Sequence, residues 1–198
     1  MTRMLPLETG RLLIRPFVMA DLDALYQIVD VELSEADFGT EGAQSLDERR
    51  EWLEWAILNY EQLAKMYQPP YGDRAIVLKQ TGQLIGSIGY VPCMMPFGQL
   101  PALAAGLEDS VRRLSTCELG LYYALAPAQQ RQGYTSEAAA AMIGYAFQNL
   151  GLRRVVATTT YDNEASMGVM RKLGMQIERN PFPAPPWMQV VGVLEHQP

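Results

Sequence analysis

The chain has 198 residues, of which 48% are hydrophobic and 19% are charged, and this length and composition predict one folded, soluble domain. Sixteen lysines and arginines against 22 aspartates and glutamates give a formal net charge of −6, which argues against binding nucleic acid through its phosphates. No apolar run approaches the roughly 20 residues that span a bilayer, and the N-terminus lacks a secretory signal, so we expect a cytoplasmic protein without a membrane partner. One histidine and two isolated cysteines argue against a metal site, so we expect no metal.

The spacing of apolar residues predicts the order strand, two helices, three strands, helix, strand, helix and two strands. The predicted strands are 12–17, 74–78, 83–90, 118–125, 153–159, 175–178 and 187–195. The first predicted helix starts at Asp21, and the others cover about 45–67, 136–147 and 163–173. A turn at 80–83 joins the second and third strands, whereas residues 92–114, rich in proline and glycine, predict a long loop or insertion. This order predicts an α/β fold with a mixed sheet, in a single domain over 1–198.

The charges are distributed unevenly along the chain. Between Asp21 and Glu61, twelve acidic residues oppose only two arginines, a balance of −10, whereas residues 118–179 have a balance of +1. The acidic segment would attract a cationic partner, or it simply forms solvated helix faces, which is the commoner case. Both interpretations stay open at this point.

Five side chains that could carry chemistry are interpreted as structural. Trp52, Trp55 and Tyr60 recur near helical spacing, which favours packing in the core over a cage for a cationic substrate. Cys117 has no histidine nearby in the sequence, so a buried apolar role is favoured over a nucleophilic thiol. His196 lies two residues from the C-terminus, where a mobile chain rarely holds catalytic geometry.

The turn Gln130–Thr135 lies between a predicted strand and an alanine-rich helix. The N-terminus of a helix leaves main-chain N–H groups without partners and favours negative charge, and Gly133 permits a close approach. Arg131 adds a cation that can meet phosphate, so the turn could hold a pyrophosphate. It is neither a Walker A loop nor a GxGxxG fingerprint, because the other residues of those motifs are missing. Taken alone, the turn could equally be an ordinary connection.

Several segments together resemble the GNAT superfamily of acyl-CoA N-acyltransferases. The matching segments are the strand 118–125, the turn 130–135, the alanine-rich helix and Asn163-Glu164-Ala165-Ser166. Residues 7–16, 163–166 and 171–175 resemble the RimJ/RimL-like branch. In this superfamily the turn reads Q/R-x-x-G-x-G/A and holds the pyrophosphate of acetyl-CoA. Gln130 and Gly133 match that pattern, whereas Thr135 departs from it, and only about 31–70 and 92–114 fall outside the resemblance.

The resemblance implies a GNAT-like mixed, mostly antiparallel central sheet with helices on both faces. It also implies a splay between the fourth and fifth predicted strands, 118–125 and 153–159. Main-chain groups of Tyr123, Ala124 and Leu125 would then pair with the pantetheine amides, as an added strand would. The residues implied to hold the pyrophosphate are Gln130, Arg131, Gln132, Gly133, Tyr134, Thr135 and Ser136. Asn163 would contact the pantetheine arm, or cap the following helix, or do both.

The implied chemistry needs a neutral amine, because an alkylammonium has a pKa near about 10. Glu118, at the start of the fourth strand, would be the base, directly or through a water molecule. Ser166 would protonate the leaving thiolate. The alternatives are a strand-edge acid paired with an arginine and a helix serine bonded to the main chain. Met170 stands where many relatives carry a tyrosine, so a tyrosine acid is not expected at that position.

The sequence therefore predicts an N-acetyltransferase that moves an acetyl group from acetyl-CoA to a primary amine by direct attack in a ternary complex, without a metal. The amine would be a protein N-terminus or a small molecule, and the acidic segment mildly favours a cationic one. One alternative is a non-catalytic acyl-CoA-binding sensor or interaction module. Another is a nucleotide-binding α/β protein that prefers ATP or NAD. The apolar last strand, 187–195, could pair across a homodimer or lie inside the sheet.

Overall fold

The computed structural model describes residues 4–35, 42–182 and 188–196 of the chain. The strands in these ranges are β1 (Leu7–Glu8), β2 (Leu12–Arg15), β3 (Gly72–Leu78), β4 (Leu84–Met95), β5 (Thr116–Leu125), β6 (Arg154–Thr159), β7 (Gln176–Arg179) and β8 (Val190–Glu195). They form an eight-stranded sheet in the order β1-β2-β3-β4-β5-β6-β8-β7. β5 and β6 are parallel, with Gly120 opposite Val156, and the other described pairs are antiparallel. The predicted α/β fold with a mixed, mostly antiparallel sheet is confirmed, and the splay stays a prediction.

The helices lie close to their predicted positions. They are α1 (Leu22–Tyr26), which continues into a π-helical segment (Gln27–Glu32), then α2 (Leu46–Lys65), α3 (Asp109–Arg112), α4 (Tyr134–Gln148) and α5 (Glu164–Lys172). α2 begins after Ser45 because that side chain accepts from the Glu48 N–H (3.3 Å) while Glu48 Oε2 accepts from the Ser45 N–H (2.8 Å), a capping box. None of the helices in the described ranges combines the length and the apolar character needed to cross a bilayer.

The loop predicted at 92–114 begins later in the structure than the sequence predicts. β4 continues to Met95, and the loop after it contains a short 3-10 turn and α3. Pro92 and Met94 are exposed while Cys93 is buried, which is the alternation of a strand with one covered face. Proline indicated a loop here, but a strand tolerates proline wherever its N–H is not needed for pairing.

Two predicted core residues are in fact exposed. Trp55 is 57% exposed, because the buried positions of α2 are Arg49, Leu53, Ala56 and Tyr60, and Trp55 lies beside that stripe. Cys117 is also exposed, since it lies near the start of β5. Trp187, predicted to open the last strand, falls outside the described residues, as do Asp37 and Glu41 of the acidic segment.

The described chain divides into two compact units. The first unit comprises Met1–Tyr90 with Tyr122–Met142, and the second comprises Val91–Leu121 with Ile143–Pro198. That both belong to one domain, with an insertion at about 92–114, stays a prediction.

Helices cover both sheet faces of the first unit. One face packs against α1 and α2 in a core made of Phe17, Leu22, Leu25, Ile28, Leu53, Ala75, Val77, Leu84 and Ala126. Tyr90 points to the opposite face from Ser87, three positions away along β4, and its hydroxyl donates to the main-chain oxygen of Met142 in α4. This arrangement follows from the alternation of side chains along β3 and β4.

Two residues of the acidic segment form buried ion pairs inside the first unit. Asp21 forms a bidentate pair with Arg15 (2.7 and 2.8 Å), and Asp30 forms one with Arg49 (2.7 and 2.8 Å). Both carboxylates are buried, and the second pair ties the π-helical segment to α2. Part of the acidic charge is therefore structural and is not available to an external cation.

The second unit has its own core, and the last strand lies within the sheet. Its buried residues are Cys93, Phe97, Leu100, Val156, Met188, Val191 and Val193. β8 is antiparallel to both β6 and β7, so both of its edges are paired. His196 is anchored as well, because its N–H donates to the Arg153 oxygen (2.7 Å) and its ring stacks on Phe147 with centroids 4.8 Å apart. The prediction of a mobile end at His196 was therefore wrong.

Candidate active site

The turn before α4 has an unusual backbone. Arg131 has a φ of 61° and Gly133 a φ of 82°, both in the left-handed region. The first hydrogen bond of the helix runs from the Glu137 N–H to the Gly133 oxygen (3.0 Å), so the N–H groups before Glu137 have no acceptor within the helix. Left-handed residues next to a helix N-terminus turn successive N–H groups toward one point, which suits an anion. The left-handed Arg131 was missed by sequence reasoning, because arginine carries no signal for that conformation.

Arg11, at the start of the first unit, holds this turn from outside. Its Nε lies 2.6 Å from Glu137 Oε2, its Nη1 donates to the Gln132 oxygen (3.0 Å), and its guanidinium stacks on the Tyr134 ring at 4.3 Å. Thr9 Oγ1 donates to the other oxygen of Glu137 (2.5 Å). The Arg11 cation thus neutralises a carboxylate in the first turn of α4, where the helix would meet an anion.

The electrostatics of Glu137 agree with that contact. Burial raises the pKa of Glu137, but the hydrogen bonds from Thr9 and Arg11 outweigh burial and leave the pKa lowered. Sequence reasoning missed Arg11 and Glu137 as a pair, because 126 positions separate them. The opening segment 7–16 was recognised only as part of a family pattern.

The predicted pantetheine strand is tied to the same turn. Gln130 Nε2 donates to the Leu125 oxygen (3.0 Å), so this side chain braces the turn against the end of β5. Ala124 and Leu125 are buried, and Tyr123 is half-buried. Gly86 of β4 lies beside them, and a Cβ there would lie 3.0 Å from the Leu125 Cα, so only glycine permits this approach. The first unit thus brings together the predicted pantetheine strand and the predicted pyrophosphate turn.

The predicted base lies in the second unit and is ion-paired. Glu118 Oε2 is 3.3 Å from Arg154 Nε, and Arg154 Nη1 is 3.3 Å from Glu195 Oε1. Burial raises the pKa of Glu118, and the Arg154 charge partly opposes that shift. The arrangement matches the alternative of a strand acid paired with an arginine, and the role of Glu118 as a base stays a prediction.

The predicted acid lies on α5, also in the second unit. Asn163 caps this helix, since its Oδ1 accepts from the Ser166 N–H (3.0 Å). Ser166 is half-buried and Met170 is fully buried. The capping role of Asn163 is thus observed, whereas its contact with pantetheine and the acid role of Ser166 stay predictions. Among the described residues no group of three or more His, Cys, Asp or Glu could hold a metal ion.

Comparison with known proteins decides the family. The family model described as the acetyltransferase (GNAT) domain matches residues 11–176. The chain belongs to the GNAT acetyltransferase family. YoaA of Bacillus subtilis, described as an uncharacterized N-acetyltransferase, is 30% identical over 173 residues, which cover 87% of this chain and 83% of YoaA.

Solved structures show the same fold. An acetyltransferase from Agrobacterium tumefaciens strain C58 superposes with a TM-score of 0.69 at 24% identity and covers 98% of this chain and 95% of its own. RimL, a ribosomal L7/L12 alpha-N-protein acetyltransferase solved with coenzyme A, superposes with a TM-score of 0.62 at 17% identity over 93% of each chain. At these identities the likeness establishes the GNAT fold and nothing finer.

Proposed function

We propose that this GNAT protein moves an acetyl group from acetyl-CoA to a primary amine, by direct attack in a ternary complex. The observation that carries the proposal is the turn at 130–136, where two left-handed residues precede a helix of 15 residues. The coenzyme A complex of RimL supports acetyl-CoA as the donor. The same proposal assigns the chain to the RimJ/RimL-like branch, with a protein N-terminus or a small molecule as the acceptor.

The residues of the turn fit a pyrophosphate in both charge and shape. The N–H groups of Tyr134, Thr135 and Ser136 precede the first helical bond, and the exposed Arg131 offers a side-chain cation. Gly133 carries no side chain that would cover these groups. Because Arg11 neutralises Glu137, little negative charge opposes an anion at the helix start.

The remaining residues orient the donor and handle protons in this proposal. Main-chain groups of Tyr123, Ala124 and Leu125 would hold the pantetheine arm as an added strand. Asn163 is the residue that the sequence predicts for a further pantetheine contact. A coenzyme thioester supplies the activated acetyl group when it is bound. Glu118 and Ser166 are the residues that the sequence predicts for the base and the acid.

The first test is binding. We expect acetyl-CoA and CoA to raise the melting temperature of the wild type, with no comparable effect of ATP or NAD. Arg131→Ala should weaken acetyl-CoA binding about tenfold, the loss of one charge-assisted contact. Arg171→Ala removes an exposed arginine paired with Glu164 (3.2 Å) and is the matched control, expected to bind normally. An equal response to ATP would favour a nucleotide-binding protein and contradict the proposal.

The second test separates an enzyme from a binding module. Thiol release from acetyl-CoA is measured with a panel of peptides, amino acids, polyamines and aminoglycosides. Turnover of at least one primary amine is expected. A wild type that binds acetyl-CoA tightly and acetylates no amine would support the non-catalytic sensor instead.

Arg11 gives a third test, because it is a positioning residue that acts through the turn. Arg11→Ala should raise the Kd for acetyl-CoA severalfold while it leaves kcat at saturating acetyl-CoA nearly unchanged. Arg50→Ala is the control, since Arg50 pairs with Asp47 (2.6 Å) on α2 and has no described contact to the turn. An equal effect of both variants would contradict a specific role of Arg11.

A further inference from the structure

Three residues on three neighbouring strands of the first unit lie in one row. Asp73 of β3 is paired directly with Gly89 of β4. The Ala126 N–H, just after β5, donates to the Ile85 oxygen of β4 (2.9 Å). In an antiparallel pair, the residue number rises along one strand as it falls along the other. Gly89 follows Ile85 on β4 by as many positions as Tyr122 precedes Ala126, so Tyr122 lies opposite Gly89.

Two close approaches support that count. A Cβ on Gly86 would lie 3.0 Å from the Cα of Leu125, in the first unit. In the second unit, a Cβ on Gly120 would lie 3.1 Å from the main-chain oxygen of Val91. Gly86 with Leu125 and Val91 with Gly120 have the same register as Ile85 with Ala126, so the pairing of β4 with β5 has no net shift between these positions. Tyr122 and Gly89 fall between these two fixed points.

The row presents polar side chains on one face of the sheet. Ala75 is paired with Ser87, two positions along from Asp73 and Gly89, so Ser87 shares a face with Asp73. The Ser87 hydroxyl donates to Asp73 Oδ2 (3.0 Å). Gly89 contributes no side chain, and with strands about 4.8 Å apart the Asp73 and Tyr122 Cα atoms lie about 10 Å apart. A carboxylate and a phenol therefore lie on either side of Gly89, where only glycine fits, because a Cβ would lie 2.7 Å from the Asp73 Cα.

The described charged and titratable neighbours of Asp73 lie on α2, β3 and β5. Arg49 of α2 is the nearby cation, and it is committed to its bidentate pair with Asp30. Tyr60 of α2 donates its hydroxyl to the main-chain oxygen of Asp73, and Arg74 stacks on the Tyr60 ring at 5.2 Å. A cation supplied by a ligand would thus meet a carboxylate whose described side-chain hydrogen bond comes from a neutral hydroxyl.

The protonation of these groups fits that environment. Burial raises the pKa of Asp73 to about 6, while the Ser87 hydrogen bond and the Arg49 charge lower it in part. Burial also raises the pKa of Tyr122, and the Asp73 charge raises it further, as expected for neighbours. Near neutral pH, Asp73 is thus ready both to bind a cation and to accept a proton.

The row also lies next to the main chain proposed to hold pantetheine. Tyr122 directly precedes Tyr123–Leu125 on β5, and Ala124, on the same face as Tyr122, lies about 7 Å along the strand. Asp73 and Tyr122 are both partly exposed, whereas Ser87 is buried, so a small group would approach from the side of Asp73 and Tyr122. All these residues belong to the first unit, which also carries the turn.

We propose that Asp73, Ser87 and Tyr122, arranged around Gly89, form the subsite that binds the ammonium group of the acceptor amine, and that Asp73 takes its proton. This inference rests on the proposed acetyltransferase function, and it assigns the base to Asp73 in place of Glu118, the base that the sequence predicts. The ammonium gives one proton to the Asp73 carboxylate and becomes a neutral amine. The amine nitrogen then forms a bond to the acetyl carbon as the carbon–sulfur bond breaks. The thiolate leaves with the electron pair and takes the second amine proton, and Asp73 returns the first proton to water.

The decisive experiment compares Asp73→Asn with wild type in the thiol-release assay. With an alkylamine, kcat/KM should fall about 100-fold, the usual size of a lost proton acceptor, while the Kd for acetyl-CoA stays unchanged. With an arylamine, which is uncharged at neutral pH, the fall should stay within about threefold, because neither a cation nor its proton is involved. Asp47→Asn is the matched control, since Asp47 is exposed and pairs only with Arg50 in the described contacts (2.6 Å).

Two further variants keep the test decisive if Asp73→Asn does not fold. Tyr122→Phe should lower kcat/KM for the alkylamine about tenfold, since it removes one hydroxyl from the subsite. Ser87→Ala should shift the acidic limb of the pH profile of kcat/KM to higher pH, because the Ser87 hydrogen bond lowers the pKa of Asp73. A merely structural role for Ser87 would leave that midpoint in place.

Each outcome decides between the claims. Alkylamine turnover within threefold of wild type in Asp73→Asn overturns the subsite and leaves the acetyltransferase intact. Equal losses with alkylamine and arylamine also overturn it, since the defect would then be unrelated to charge. If the wild type binds acetyl-CoA but acetylates no amine, the proposed function falls, and the subsite falls with it.

Discussion

Asp73 in the first unit and Glu118 in the second are both carboxylates on central strands of a GNAT sheet, and their partners differ. Glu118 lies 3.3 Å from Arg154, which also contacts Glu195. Asp73 accepts a hydrogen bond from the neutral Ser87 hydroxyl (3.0 Å), and burial raises its pKa to about 6. A carboxylate that is already paired gains little from a cationic substrate, whereas a half-buried one beside a hydroxyl gains a great deal. The two acids thus differ in the side chain that the neighbouring strand places beside them, an arginine for Glu118 and a serine for Asp73.

The largest expected effect comes from replacing the two acids side by side. Asp73→Asn should lower kcat/KM for an alkylamine about 100-fold, whereas Glu118→Gln should lower it less than about tenfold, because Glu118 is neutralised by Arg154. The measurement is thiol release at saturating acetyl-CoA, with melting temperatures as a check on folding. The opposite order of losses would make Glu118 the base, as the sequence predicts, and would remove the distinction between the two acids.

The next effect concerns stability as a function of pH. The folded-state pKa of Asp73 is raised from 3.8 to about 6, so the folded chain binds a proton more tightly than the unfolded chain does. The resulting stability is complete below about pH 4 and is lost as the pH rises through about 6. With allowance for partial exposure, the free energy of unfolding should decrease by about 2 kcal/mol from this group.

This loss is measured by urea unfolding of wild type, Asp73→Asn and Asp47→Asn between pH 4 and pH 8. The amide side chain introduced by Asp73→Asn cannot ionise, so this variant should lack the part of the slope that wild type shows between about pH 4 and pH 6. Asp47→Asn should keep that slope, because Asp47 is exposed on α2. If the free energy of unfolding of wild type and of Asp73→Asn changed with pH in the same way, Asp73 would not be desolvated in the folded chain.

The elements of the fold were predictable because their signals are local. Apolar spacing and turn residues located the strands and helices, and the end positions were mostly off by a few residues. The turn at 130–135 was found for the same reason, since a glycine between a strand and a helix is visible in the sequence. Pro92 led to a wrong end for the third predicted strand, because proline usually ends a strand, whereas here the pairing of the longer strand β4 outweighs that local preference.

The features that the sequence did not reveal depend on residues far apart in the chain. Arg11 reaches Glu137 only after β2 and α4 are packed, and the row of Asp73, Gly89 and Tyr122 exists only once two strand registers are fixed. Glu118 was found by its place in a strand, but its partner Arg154 comes from a parallel neighbour. Predicting such contacts requires the register of the sheet, which periodicity alone does not provide.

The smallest expected effect comes from making Glu118 resemble Asp73. Arg154→Met removes the cation and leaves Glu118 in a half-buried position, which should lower the free energy of unfolding by about 1 kcal/mol at pH 7. Arg154 lowers the pKa of Glu118 against the effect of burial, so its removal raises that pKa further. A group with a raised folded pKa destabilises the folded chain only where it is ionised, so the loss should shrink as the pH falls toward 4.

The double variant Glu118→Gln/Arg154→Met isolates the pair from the rest of the network. If Glu118 is destabilising only when it is left ionised without its partner, the double variant should regain most of the stability lost in Arg154→Met. The control is Glu195→Gln in the wild-type background, since Glu195 contacts Arg154 (3.3 Å) but is more exposed. Additive losses in the double variant would mean that Glu118 does not depend on Arg154 for its charge. The contrast with Asp73 would then rest on the exposure of the two carboxylates and not on their partners.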